Sequence, residues 1–268
     1  MSSPPAAAAP FDQFLEQLDA GMAASHPDDD STTNPDQPSW LRQVIAMLYD
    51  GQDAAAAKGW ALRVHGELER LNGRVPLAVV HDWHAHGVVP MLVEANARHG
   101  GSAEPQQVVG RLHTRALAGE HISKGEWNAA LLPALRDVYR LAYSYADAFS
   151  KAYAGAHAYA IDNDYGEERA DEFARTYAEL NTPANARSFA DANALAHAGA
   201  VADAFAAADA QSYAEAWPFA HVRVYAHACA HQDGSAADGR TAAEDGRLRA
   251  TYRHLADRLT GSLARAAA

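Results

Sequence analysis

The chain carries one cysteine, Cys229, in 268 residues. A single thiol excludes an internal disulfide and any zinc or iron–sulfur site built from a cysteine cluster. Lysine is nearly as scarce, at Lys58, Lys124 and Lys151, and no basic residue precedes Arg42. A secretory leader needs a positive start and an apolar run, and a mitochondrial presequence needs arginines. Neither pattern is present, and no stretch approaches the ~20 apolar residues of a membrane span. The expectation is a cytoplasmic protein. The formal net charge of −12 argues against a surface that binds nucleic-acid phosphates or meets a membrane through basic clusters. The motifs G-x-S-x-G, G-x-x-x-x-G-K-[ST] and G-x-G-x-x-G are also missing, which argues against serine hydrolases, P-loop enzymes and nicotinamide-dependent dehydrogenases.

What is present is enough apolar side chain, 49% of residues, for a substantial core. Its spacing is helical. Phe11, Phe14, Leu15 and Leu18 lie on one side of a short helix; Trp40, Leu41, Val44, Ile45 and Leu48 mark another, with Ser39 as its cap. Further helices are expected over 53–71, from Pro76 to about His99, and over 105–119, 125–161 and 167–180. Another starts at Thr182-Pro183, and two more cover 213–231 and 241–266. Glycines at 73 and 100–101 read as stops. No alternating pattern of useful length suggests a strand. The fold class is all-α: residues 1–38 form a flexible N-terminal tail with a short helix, disordered over 1–10, and 39–268 form a single helical domain. The polar stretch His26–Pro38 and the glycine- and aspartate-rich 233–239 read as loops.

Residues 79–90, V-V-H-D-W-H-A-H-G-V-V-P, set three histidines, an aspartate and a tryptophan in an apolar run. Buried imidazoles are costly unless they bond to something or hold a ligand. His81 and His84 share one helix face; Asp82 and His86 share another. Pro90 has no N–H for the carbonyl of His86, so the helix should bend or open beside the histidines. Three readings stand side by side: histidines satisfied within the core or partly exposed; a zinc or iron site from His81, His84 or Asp82, and His86; or a pocket in which one or two imidazoles move protons near neutral pH.

His197 sits in a helix of almost uninterrupted small residues. Small side chains let another helix or a planar molecule come close to the backbone. A lone imidazole above such a surface suits an axial position on porphyrin iron, with Asn193 or its carbonyl one turn back holding the other ring nitrogen. The alternative is a polar residue in an ordinary alanine-packed helix. No C-x-x-C-H is present, so a heme here would be held non-covalently.

His227 and His231, four apart, read as a solvated or interface face, with His221 on the same helix. His157 is a rival axial ligand among the tyrosines of 139–160. Arg175, Arg187 and Arg223 are candidate partners for a ligand carboxylate, and Trp83 and Trp127 for stacking on an aromatic ligand, although a core role fits them equally. Exposed alanine-rich helices pair readily, so a homodimer is an expectation.

Over residues 40–231 the chain resembles the bacterial heme-dependent aromatic oxygenases, above all their tyrosine hydroxylases. The likeness rests on its length, its alanine-rich all-helical pattern, H81-D82-W83-H84 on an early helix and A194-L195-A196-H197-A198 on a later one. The resemblance implies a helical bundle like that of tryptophan dioxygenase around heme b. It also implies peroxide-dependent hydroxylation of a small aromatic amino acid, L-tyrosine to L-DOPA, in antibiotic biosynthesis. His197 would then be the iron ligand and His84 or His81 the distal proton-handling group, with Asn193, Arg187 and Trp83 around the cofactor. No motif identifies a clamp for the substrate carboxylate.

Overall fold

The computed structural model describes residues 10–21, 37–143, 145–231 and 242–267. Of the expected disorder over 1–10, residues 1–9 lie outside these residues, as do most of the His26–Pro38 loop and the 233–239 loop, while Pro10 opens a helix. Every regular element among them is helical, as the apolar spacing requires. The first helix, α1 (Pro10–Gly21), is docked rather than free: Phe14 and Leu18 are buried, and it packs on α2 (Ser39–Asp50) and α3 (Ala54–Arg70). Ser39 does not cap α2. Pro38 holds that place and no side chain bonds to the first turn, whereas Asp53 caps α3 by accepting from the Ala56 N–H.

The histidine-bearing segment is one continuous spiral in three parts: α4 (Ala78–Trp83), a π-helical turn (His84–Val88) and α5 (Val89–Arg98). The opening expected from Pro90 is this π-turn, in which the Val89 N–H reaches back five residues to the His84 carbonyl. Then follow α6 (Glu104–Leu117), α7 (Lys124–Ala142), α8 (Tyr145–Asp162), α9 (Glu167–Ala207), α10 (Ala210–Glu215), α11 (Pro218–Ala230) and α12 (Ala242–Ala266).

Three expected boundaries differ. The run 125–161 is two helices, parted at Tyr143 (φ −103°, ψ 87°), whose ring stacks on Tyr139 and meets Phe189 edge-on as the chain turns α8 onto α9. Thr182-Pro183 starts nothing; it lies inside the 41-residue α9. Ala170, Ala174, Ala178, Thr182, Ala190, Ala194, Ala198 and Ala202 are buried on a four-residue repeat, with half-buried Ala186 completing the row. That row packs first on α8 and then on α7. Each buried methyl adds about 0.8 kcal/mol, which offsets the one hydrogen bond that exposed Pro183 removes. Finally, 213–231 breaks at Trp217, which is half exposed and left-handed (φ 59°).

The core centres on four indoles, Trp40, Trp60, Trp83 and Trp127, all at most 1% exposed. Burying an indole removes about 200 Å² from water, worth about 5 kcal/mol before entropy is counted. Two of these rings fasten α12. Trp60 Nε1 donates to the Ala256 carbonyl and Trp83 Nε1 to that of Leu255, both at 3.0 Å. Close approach of α12 to α2 needs Gly51, since a Cβ there would lie 2.3 Å from the Tyr252 ring.

Gly51→Ala should therefore destabilise the fold by about 1–3 kcal/mol through overpacking. Gly155→Ala, on an exposed face of α8 with open space where the methyl would go, should stabilise it by about 0.5–1 kcal/mol. Thermal melts of the two variants beside wild type check both signs.

Candidate functional site

Five imidazoles converge inside the molecule. His81 comes from α4, His84 from the π-turn, His113 from α6, His197 from α9 and His221 from α11, and none is more than 7% exposed. His81 and His113 face each other Nδ1 to Nδ1 at 3.0 Å, so one donates and the other accepts. His113 stacks on His84, ring centroids 4.7 Å apart. His197 stacks on His221 at 3.2 Å, nearly parallel. Phe205 touches His81, His84 and His113, and the Trp127 indole lies parallel to His81. The Tyr225 ring is 6.1 Å from both His84 and His197.

The sequence places these side chains by local rules. On α4, positions 81 and 84 are three apart and both turn inward. Asp82 and His86, on the other face, take Arg265 of α12: its guanidinium grips the Asp82 carboxylate, which also lies 3.0 Å from His86 Nδ1. The four residues of the 81–86 run thus split between two faces and do not form one ligand set. Among the described residues, no three His, Cys, Asp or Glu side chains are arranged to hold a bare metal ion.

Burial penalises an imidazolium. It pushes His81 and His84 down to about 4 and His221 to about 3, with His84 adding to the effect on His221. It lowers His113 and His197 well below the ordinary range, reinforced by neighbouring imidazoles. All five are neutral at pH 7, so each keeps one N–H and one lone pair. His84 Nδ1 lies 2.8 Å from the Val80 carbonyl. A carbonyl only accepts, so Nδ1 carries the proton and Nε2 is a lone pair. His197 Nδ1 lies 3.2 Å from the Tyr139 hydroxyl. Nε2 of His197 and Nε2 of His113 are buried with no hydrogen-bond partner among the described residues.

Of the expected site residues, His81, His84 and His197 meet. Asn193 does not support His197, because its amide turns back to the Phe189 carbonyl; Tyr139 takes that role. Arg187 is exposed and bonds to the Pro183 carbonyl. It lies ten residues before His197, about 15 Å along the helix. Trp83 is a core residue whose N–H is spent on Leu255, although its ring meets His84 edge-on. Trp127 lines the cluster. His157 lies on α8 beside Tyr153 and Glu167, Arg175 pairs with Asp171, and Arg223 is exposed.

His113 was not expected. Its neighbours Arg111, Thr114 and Arg115 mask it, yet Gln106, Val109 and His113 recur at three and four residues and form the buried stripe of α6. His221 belongs by the same logic to the stripe of Pro218, Val222 and Tyr225.

The neutral histidines make the ligand-free protein acid-sensitive. Unfolded, each binds a proton near pH 6.5; folded, His81 and His84 do so only near pH 4 and His221 near pH 3. Stability is therefore intact above about pH 7 and falls as the pH drops from 6.5 towards 4. At pH 5 the loss is about 2 kcal/mol per histidine, a large share of the roughly 5–15 kcal/mol of a typical domain. Melting temperatures taken between pH 7.5 and 5 should drop steeply, and a flat profile would contradict the neutral cluster.

No protein-family model, no curated protein and no solved structure matches this chain, so the chemistry of the site has to be argued from its own geometry.

Proposed function

We propose that this chain is a histidine-ligated heme oxidoreductase acting on a small aromatic molecule. The observation that carries the reading is one nitrogen of His197, Nε2, uncharged, buried and without a partner among the described residues. A bare zinc or iron ion needs three or four protein ligands, and no such set is assembled among the described residues. A heme iron takes four of its ligands from the porphyrin and asks the protein for one imidazole, held through its other nitrogen. His197, with Nδ1 on Tyr139 and alanines at 194 and 198, has that chemistry. Its ring is covered by His221 and its Nε2 is shielded, so the arrangement described is closed, and binding heme there would require the packed rings to part.

When bound, the heme would supply the redox chemistry of peroxide. The protein's share is proton handling and exclusion of water. His84 holds its Nδ1–H on Val80 and leaves Nε2 as a base inside the cluster. His81 and His113 share a hydrogen bond that holds the two rings in register. Phe205, Trp127 and Tyr225 wall the region with apolar ring surface, suited to an aromatic substrate. L-Tyrosine as that substrate and L-DOPA as the product follow from the family resemblance.

The test is an absorption spectrum of the purified protein with metal analysis. The expected result is a Soret band with one heme per chain, lost or strongly reduced in His197→Ala, with unchanged far-UV circular dichroism. Full heme occupancy in that variant would remove the ligand assignment. Stoichiometric iron or zinc without a Soret band would favour a non-heme metal enzyme, and a colourless, metal-free, folded protein would leave a helical binding protein.

A further inference from the structure

Three of the histidines with a resolved Nδ1 partner, His84, His86 and His197, do not obtain it in the same way. His84 and His86 bond Nδ1 to the carbonyl four residues earlier, at 2.8 and 3.1 Å. That is a local habit of a helix, and it fixes which nitrogen carries the proton. His197 also lies in a helix, but its Nδ1 turns instead to the hydroxyl of Tyr139, 58 positions away on α7. Its tautomer is therefore set by a tertiary contact. A carbonyl can only accept a hydrogen bond, whereas a phenol can either give or accept one.

We propose that Tyr139 is the positioning residue that makes His197 a ligand, its phenol oxygen accepting the Nδ1–H and leaving Nε2 as a bare lone pair. The opposite arrangement, with the hydroxyl donating into Nδ1, puts the imidazole N–H at Nε2. There no acceptor among the described residues receives it, so the hydrogen left over would be a ring N–H fixed in direction, whereas in the proposed arrangement it is a hydroxyl hydrogen, which can rotate about its C–O bond. Any Lewis acid at Nε2 also requires the proton of a neutral imidazole to sit on Nδ1, where the Tyr139 oxygen is the hydrogen-bond partner. Tyr139 is held for this task. Its ring is 6% exposed, stacks on Tyr143 at 5.8 Å and 6°, and stands at 88° to the His197 ring. An acceptor on the far nitrogen also makes a ligating imidazole more basic.

This inference deepens the heme reading and rests on it for the identity of the ligand, though not for the tautomer. The experiment has two arms. In ligand-free protein labelled with nitrogen-15 histidine, long-range nitrogen–proton spectra report which ring nitrogen of His197 is protonated, with His197→Gln identifying its signals. The expected result is a proton on Nδ1 in wild type and its transfer to Nε2 in at least half of the molecules of Tyr139→Phe. His84, whose tautomer Val80 fixes, serves as the unchanged control. A proton on Nε2 in wild type, or an unmoved tautomer in Tyr139→Phe, overturns the proposal.

In the second arm, ferric protoporphyrin IX is titrated into each protein and followed by its Soret band. Tyr139→Phe should bind about 10–100-fold more weakly than wild type, while Tyr143→Phe, which keeps the stacked ring, should bind as wild type does. Equal binding by wild type and Tyr139→Phe refutes the positioning role and spares the heme reading. Failure of wild type to take up heme refutes that reading, and the tautomer result then decides Tyr139 alone.

Discussion

Five uncharged imidazoles enclosed by rings and alanine methyls are the constraint around which the rest of the molecule is arranged. An imidazole in such surroundings has to be neutral, and a neutral imidazole has one nitrogen that gives and one that accepts. The interior meets several of these needs with its own parts. His84 uses a carbonyl of its helix, His81 and His113 use each other, and His197 uses a phenol. Two nitrogens, Nε2 of His113 and Nε2 of His197, are fully buried with no hydrogen-bond partner among the described residues. Buried polar atoms of this kind are nearly all paired in folded proteins.

The geometry that aims these rings comes from a missing atom. Pro90 has no N–H, so the spiral carrying His81 and His84 relaxes into a π-turn at the histidines. On its outer side the turn is secured by α12. Arg265 holds Asp82, Trp83 holds the Leu255 carbonyl, and Gly87 lets the stem of Arg258 lie close, where a Cβ would come within 2.8 Å of it. Asp82 and His86, which look like metal ligands in the one-dimensional pattern, are the outer fastening of the same turn.

Much of this was legible in the sequence. The helical class, the shared face of His81 and His84 and the opening before Pro90 follow from spacing and from proline's missing donor. The boundaries at 143, 182 and 217 were not legible, because they depend on partners distant in the chain. Tyr143 breaks a helix to meet Phe189, and Thr182-Pro183 fails to break one because alanines pack on both sides of it. The support of His197 was misassigned to Asn193 for the same reason: proximity along a helix is visible in a sequence, and a phenol arriving from α7 is not. His113 and His221 were within reach of the stripe arithmetic of their helices.

The helix that carries His197 also reaches far beyond the cluster. Forty-one residues at 1.5 Å each make α9 a strut of about 60 Å. One end is paired with α8 beside the partly exposed aromatics Tyr159, Tyr165 and Tyr177, and the other is embedded among the imidazoles. A stiff strut transmits tilt over its whole length, so whatever restrains the outer hairpin also limits the sideways travel of the ring at position 197.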